Sequence, residues 1–283
     1  MRIGIIGTEN SHADHYVRHF NTERRFGSHG VTALSGGDSD RNRDLAAQGG
    51  IEQIVAEPSD LIGKVDAAIV CSRDGAKHPE QARPLLAARL PVLIDKPLAC
   101  DVAGAQSVLS TAREARVPVA SFSALRLAEE TRRIATGLPD VPELVAVAGP
   151  ADRTSEYGGL FFYGIHVVEL ALALAPGRPV EDVAVADVDS SVVITARAGR
   201  TRLLLEFDKP GVRSDASWRV RALGPFAPVA AEIRLGSDYI APVAQEFVTM
   251  LDTGRSPLPE AELLAPVEIL AQANSELDLQ SIA

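Results

Sequence analysis

Three stretches of the chain carry residues suited to chemistry. The first is VLIDKPLA (Val92–Ala99), where Lys96 ends a short apolar run and Pro97 turns the chain away. Proline lacks the N–H a sheet needs and biases its predecessor to extended backbone, so Lys96 is expected at the rim of a buried strand. An ammonium there can hold a substrate oxygen or snorkel into water; Asp95, its neighbour, can anchor the turn or pair with it. The second is GGLFFYGIHVVEL (Gly158–Leu170). After the Gly-Gly start a helix is expected from about Leu160, with Phe162 and His166 on one face, Tyr163 one turn before the histidine and Glu169 one turn after it. At that spacing Glu169 can accept the imidazole proton, and a carboxylate-positioned histidine is a general acid or base. A core histidine satisfied by Glu169 is the plainer alternative.

The third stretch, RIGIIGTENSHADHYVRHF (Arg2–Phe20), runs from an apolar strand through Gly7 into a helical pattern. Such a turn offers backbone N–H groups to an anion, and Thr8, Asn10 and Ser11 add donors or a helix cap. A dinucleotide loop places its second and third glycines where this chain has Glu9 and His12. A phosphate-facing loop therefore requires the Glu9 carboxylate to point elsewhere. His15 and His19 share a helical face without an evident carboxylate partner, and a solvated face is the expected reading, with no metal site.

These residues need elements to hold them. In the first half, the apolar runs IGIIG, VTALSG, DAAIVCS, PVLIDK and PVASFS alternate with helical patterns such as HPEQARPLLAARL and DVAGAQSVLSTAREAR. That alternation predicts βαβ units and a parallel sheet with its ligand crevice at the carboxyl ends of the strands. The second half predicts an α+β unit. EDVAVADVDSSVVITARAG and TRLLLEFDKP read as long strands joined at Gly199, and SWRVRALG alternates Trp218, Val220 and Ala222 with Arg219 and Arg221, as a sheet with one wet face does. Helical patterns precede it (158–177) and follow it (239–254 and 260–277). The expected division is a Rossmann-like domain over 1–122 and an α+β domain with a mostly antiparallel, open-faced sheet over 123–283.

Composition narrows the partners. The formal charge of −10 leaves no basic excess for nucleic acid or an anionic membrane surface. Two cysteines, Cys71 and Cys100, form no metal-like or redox-like pair and suit a reducing compartment. The longest apolar stretch, VVELALALA, is too short to span a bilayer and contains Glu169. A cytoplasmic protein with a small-molecule ligand is expected. The open sheet face favours a homo-oligomer, dimer or tetramer.

Taken together, these motifs resemble the glucose–fructose oxidoreductase and inositol dehydrogenase family, the Gfo/Idh/MocA-like oxidoreductases. IDKPLA is similar to that family's E-K-P motif, and GGLFFYGIHVVEL to its G-G-x-x-x-D-x-G-x-H-x-x-D helix. SFSALR stands where the family has a substrate-side loop with an arginine, and SRDGAKHPEQA where a loop lies over the nicotinamide side. The resemblance implies Lys96 and His166 as catalytic residues and Lys96, Arg126, Tyr163 and His166 as the substrate contacts. It implies Gly7, Thr8, Glu9, Asn10, Ser11, Ser35, Ser72, Arg73, His78, Asp95, Lys96 and Pro97 as cofactor contacts. The chain departs from the pattern in its GTENSH loop, which resembles that of a subgroup with an acidic-x-Ser-His turn. Phe162 replaces the helix aspartate. The acid expected after the second strand is missing from VTALSGGDSD, where Asp38 and Asp40 are displaced. With Ser35, Arg41 and Arg43 nearby, that loss tilts the choice between NAD and NADP towards NADP. The implied reaction is NAD(P)-dependent hydride transfer at a carbinol carbon of a sugar, polyol or related hydroxy compound. The rivals are a non-redox binding or regulatory protein on the same fold, and an isomerase or lyase using Lys96 and His166 for proton transfer.

Overall fold

The computed structural model describes residues 1–176, 179–210 and 217–280. They form two compact units, one comprising Met1–Ala99, Ala103–Phe122 and Asp238–Pro259, the other Cys100–Val102, Ser123–Ser237 and Glu260 onward. The expected uninterrupted second domain over 123–283 is thus corrected: the segment Asp238–Pro259 packs with the first unit.

The first unit is built on β1 (Arg2–Ile6), β2 (Gly30–Ser35), β3 (Gln53–Val55), β4 (Ala67–Val70), β5 (Val92–Ile94) and β6 (Val119–Ala120). All pair in parallel, in the order β3-β2-β1-β4-β5-β6. β4 and β5 are buried along their whole length, which is why they read as unbroken apolar runs. The crossover helices are α1 (His12–Val17), continued by a π-helical turn over Arg18–Thr22, α2 (Ser39–Gly49), α3 (His78–Ala87) and α4 (Val102–Ala115). Strand order reverses between β1 and β4, so the loops after those two strands flank the place where such sheets bind ligands.

The second unit contains α5 (Ala124–Leu127), α6 (Glu129–Gly137), β7 (Leu144–Pro150), α7 (Phe161–Leu174), β8 (Val180–Asp187), β9 (Ser191–Ala198), β10 (Thr201–Asp208), β11 (Trp218–Gly224) and β12 (Phe226–Ile233). α8 (Ala241–Thr253) belongs to the first unit and α9 (Glu260–Gln280) to the second. The sheet order is β12-β11-β7-β10-β9-β8, antiparallel except for the β7–β10 pair. The stretch expected as one strand after Glu181 is two, β8 and β9, and the turn at Gly199 joins β9 to β10.

One face of this sheet is the core. Leu203, Leu205 and Phe207 of β10 and Trp218, Val220 and Ala222 of β11 are buried, whereas Arg202, Leu204, Arg219 and Arg221 are exposed. Helix α7 lies on the buried face and is apolar nearly all round, so most of its residues are buried. Each such Val, Leu or Ile contributes about 1.5–3 kcal/mol on burial. That drive fixes α7, and with it His166. Gly164 is part of the fit: a Cβ there would sit 2.9 Å from the Phe207 ring.

Candidate active-site residues

In the first unit, β1 delivers the opening loop to the crevice end of the sheet. Gly7 has φ +85°, and a side chain on it would collide with the Ser72 backbone, so the loops after β1 and β4 approach as only glycine allows. Glu9 is exposed and its carboxylate reaches that second loop, where Oε1 accepts the Arg73 N–H at 3.0 Å. Thr8 is fully buried; its hydroxyl donates to Asn42 Oδ1 at 2.5 Å, with the Gly36 carbonyl 3.0 Å away. Its side chain serves the fold rather than the ligand role expected of it. Asn10 caps the helix start by accepting the His12 N–H, while Ser11 makes no side-chain cap.

His12 supplies an interaction not visible in the sequence. Its Nδ1 lies 2.5 Å from Asp95 Oδ2, and the Asn10 amide reaches the same oxygen at 3.5 Å. Asp95 is buried, and its Oδ1 accepts the Lys96 backbone N–H at 2.9 Å. Burial alone would raise the Asp95 pKa, but the charge of His12, its hydrogen bond and the charge of Lys96 outweigh that and hold the carboxyl below the usual range. The Lys96–Pro97 peptide is cis.

His78, expected beside a cofactor, is fully buried. Its ring nitrogens face the carbonyls of Pro97 (2.7 Å) and Ser72 (2.8 Å), tying the β4 loop to the turn after Lys96. The Ser72 hydroxyl donates to Gln81. At the end of β2, Ser35 is buried, and its Oγ has no partner among the described residues. The displaced Asp38 is the N-cap of α2, accepting from the N–H groups of Asp40 and Arg41. Arg41 donates to the Thr8 carbonyl at 3.1 Å and pairs with Asp14, and Arg43 pairs with Asp40.

The solvated face expected for His15 and His19 is corrected. His19 is buried, with Nδ1 3.2 Å from Glu23 and Nε2 3.3 Å from Asp238, and burial lowers its pKa. Asp238 also pairs with Arg18 and Arg25, and His15 packs edge-on against Tyr239. Asp238 and Tyr239 lie more than two hundred residues along the chain, beyond local pattern reading, whereas Glu23 is one turn after His19. Among the described residues no group of three or more His, Cys, Asp or Glu is placed to hold a metal.

In the second unit, His166 is buried on α7. The expected contact with Glu169 is corrected: Nδ1 of His166 faces Ser123 Oγ at 2.6 Å. Ser123 is the N-cap of α5, where Oγ accepts the Leu125 N–H at 3.1 Å. Its own N–H bonds to the Glu169 carboxyl. Residues three apart on a helix are about 60° offset, and here Glu169 turns to a different neighbour. Glu169 lies 3.4 Å from Arg126, whose other nitrogen pairs with Glu262. Arg126 is buried, so the arginine expected to meet substrate instead joins two carboxylates inside the unit. Burial raises the Glu169 pKa to about 7; Arg126 and the Ser123 N–H oppose the rise and Glu262 adds to it. Around the imidazole stand Tyr163, 41 % exposed, with ring centres 5.9 Å apart, and Trp218 at 5.4 Å. Phe162, in the position of the missing aspartate, packs on Tyr157 and Tyr163.

Ser123 and His12 are the site neighbours that sequence reading missed. A cap pattern at SFSALR was the available signal for Ser123. For the His12–Asp95 contact there was none, since 83 residues separate the pair.

Residues 1–122 match the family model described as the oxidoreductase family with the NAD-binding Rossmann fold, Gfo/Idh/MocA. Among curated proteins the chain is similar to inositol 2-dehydrogenase 1 of Saccharopolyspora erythraea, 42% identical over 106 residues, which are 36% of this chain and 30% of that protein. The match thus spans about a third of the relative's length. A probable dehydrogenase from Thermotoga maritima superposes with TM-score 0.82 at 18% identity, covering 99% of this chain and 97% of that one. GenD2 from gentamicin A biosynthesis, solved in complex with NAD, superposes with TM-score 0.81 at 18% identity, covering 98% and 94%. At such identity these structures speak for the fold alone. Among the described residues no helix is long and apolar enough to cross a membrane. The first 122 residues thus match the NAD-binding Rossmann part of the Gfo/Idh/MocA oxidoreductase family.

Proposed function

We propose that the protein is an NAD(P)-dependent dehydrogenase acting on a secondary hydroxyl of a polyol, sugar or related hydroxy compound. The observation that carries this reading is His166, a buried imidazole with Nδ1 fixed on Ser123 and a partly exposed tyrosine beside it. With Nδ1 engaged, Nε2 is the nitrogen that takes the hydroxyl proton. Lys96, at the crevice end of β5, holds the substrate oxygen and stabilises its developing charge. Tyr163 orients the substrate, and Arg126 is assigned to holding Glu169 and Glu262 in place.

The cofactor fits the first unit. The glycine crossing at Gly7, the reversal of strand order and the loops bearing Gly7–Ser11 and Ser72–Arg73 are what a dinucleotide needs. When bound, a nicotinamide supplies the hydride acceptor. NADP is preferred, because the displaced Asp38 is turned into the α2 backbone and Asp40 pairs with Arg43.

The test is binding of NADH and NADPH to cofactor-stripped protein, then reduction of each oxidised form with a panel of cyclic polyols, sugars and hydroxy acids. Turnover that falls about 10²–10⁴-fold in His166→Ala, with nucleotide affinity kept, is expected. Absence of binding at millimolar nucleotide overturns the reading and leaves the binding-protein alternative.

A further inference from the structure

The position that a dinucleotide loop gives to its third glycine carries His12, a side chain aimed inward at the Lys96 strand rather than removed. We infer that His12 is a positioning residue for Lys96, acting through Asp95. The inference rests on the reading of Lys96 as the cation that holds substrate oxygen.

The geometry leaves Asp95 few other roles. It is 4% exposed, and as an ionised carboxylate it can only accept hydrogen bonds. Oδ1 takes the Lys96 backbone N–H at 2.9 Å, and Oδ2 takes the His12 ring at 2.5 Å and the Asn10 amide at 3.5 Å. The His12 N–H is itself held by Asn10 at 3.1 Å. The loop after β1 is therefore stapled to the residue before the lysine by two side chains. The side chain of His12 is 12% exposed, and Tyr239 packs edge-on against its ring with centres 5.4 Å apart. Charges that reach Asp95 come from His12, Lys96 and His78. His78 is committed to two carbonyls, so His12 is the ring that holds Asp95 beside the lysine. Without His12, the buried carboxylate keeps its backbone bond to Lys96 but loses its short side-chain contact at Oδ2. The turn that carries Lys96 is then held by Asp95 alone and loses its tie to the loop after β1.

The chain has only Lys64, Lys77, Lys96 and Lys209, which makes a direct measurement practical. The lysines are dimethylated with ¹³C-formaldehyde and followed by NMR against pH, with the Lys96 signal assigned by its loss in Lys96→Arg. In His12→Ala the Lys96 signal is expected to move from its wild-type position at pH 7, because the turn that carries it loses its tie to the loop after β1. The other three signals stay put. In an Asp95→Asn background the same substitution moves nothing, because the route is gone. His12→Asn, which keeps a donor to Asp95, falls between and serves if the alanine variant does not fold. Turnover in His12→Ala drops roughly tenfold to a hundredfold, with nucleotide affinity held within about twofold. An unmoved Lys96 signal in a folded His12 variant overturns the inference. A moved signal in a protein that turns over no hydroxyl substrate with either nucleotide overturns the dehydrogenase reading and leaves this one standing.

Discussion

Two buried carboxylates, one in each unit, have opposite fates. Asp95 and Glu169 are both about 4% exposed, and both have a cation as neighbour. Yet the Asp95 pKa is lowered and the Glu169 pKa is raised to about 7. Burial works the same way on each, towards the neutral acid. The difference lies in the company. Among the described residues His12 pairs with no other carboxylate, and Lys96 adds a positive charge. Arg126 is divided between Glu169 and Glu262, so Glu169 meets half a partner and a like charge together. A cation nearby does not decide the state of a buried acid; the count of acids sharing it does. The unit with the lysine thus keeps a permanent anion beneath it. The unit with the histidine keeps a carboxyl that changes charge near neutrality, linked to the imidazole through Ser123.

The severest way to break this contrast is to remove the shared cation. Arg126→Leu leaves the buried Glu169 and the half-buried Glu262 facing each other. Breaking a buried ion pair from one side costs about 3–5 kcal/mol. Denaturant unfolding at pH 8 is expected to show a loss of that order, much of it recovered near pH 5, where Glu169 holds its proton. A loss unchanged by acid would mean that the arginine acts through packing alone.

Stability against pH separates the two acids. Glu169 has a folded pKa of about 7 against an ordinary 4.5, so the unfolded chain releases its proton first as pH rises. Stability is therefore lost between those two values, by roughly 3 kcal/mol in all, and the loss is complete above them. Glu169→Gln removes this slope, so the variant gains on the wild type as pH climbs from 5 to 8. Asp95, with its folded pKa below the ordinary value of 3.8, does the reverse. Its contribution is present above the ordinary value and disappears as pH falls through the folded one. Asp95→Asn is expected to be less stable than the wild type at pH 7, and the gap narrows in acid. Parallel curves for Glu169→Gln and the wild type would sink the assignment.

Ser123 sharpens the contrast in function. Its Oγ meets His166 Nδ1 while its N–H holds Glu169, so Ser123→Ala cuts the first link together with the α5 cap and leaves the second. One hydrogen bond is worth about 0.5–1.5 kcal/mol. A fall in kcat of up to about tenfold, nucleotide affinity unchanged and partial rescue by Ser123→Thr are expected. If KM for the nucleotide moves instead, Ser123 belongs to the fold rather than to the histidine.

Much of this architecture could be read from the chain. Alternating apolar runs announced five of the six parallel strands, and the glycine pair with its helix announced α7. β3 escaped because QIV is three residues long, exposed at Ile54 and half-buried on either side. β7 and β12 escaped because LVAVAGP and FAPVAAEI carry prolines and small residues that a propensity reading scores as turn or helix. The elements were legible where burial is one-sided or complete. Lys96, His166 and the opening loop were also legible as types. Their partners were not: His12 finds Asp95, His166 finds Ser123, and His19 finds Asp238 across long stretches of sequence. Glu169, three residues from His166, was the partner that local spacing offered, and tertiary packing gave it to Arg126 instead.

The smallest effect concerns Glu9. It is exposed, so its charge acts through water, where two unit charges 4 Å apart interact by about 1 kcal/mol. Its carboxylate already has a task, accepting the Arg73 N–H at 3.0 Å and joining the loops after β1 and β4. The Arg73 guanidinium also reaches the Glu9 carbonyl at 3.5 Å. Glu9→Gln keeps an acceptor for that N–H and removes the charge. A dinucleotide phosphate near the loop should then bind more tightly, by up to about fivefold at low ionic strength. The gain should shrink in high salt, since a surface charge is screened within about 10 Å at 0.1 M. Glu9→Gly removes both the charge and the bridge, so it separates the two contributions. If it binds better than Glu9→Gln, the link to Arg73 holds the loops in a form the nucleotide must open. If it binds worse, that link is part of the site. Unchanged affinity in both variants would place the phosphates away from this loop, and the assignment of Gly7–Ser11 to the cofactor would fall with it.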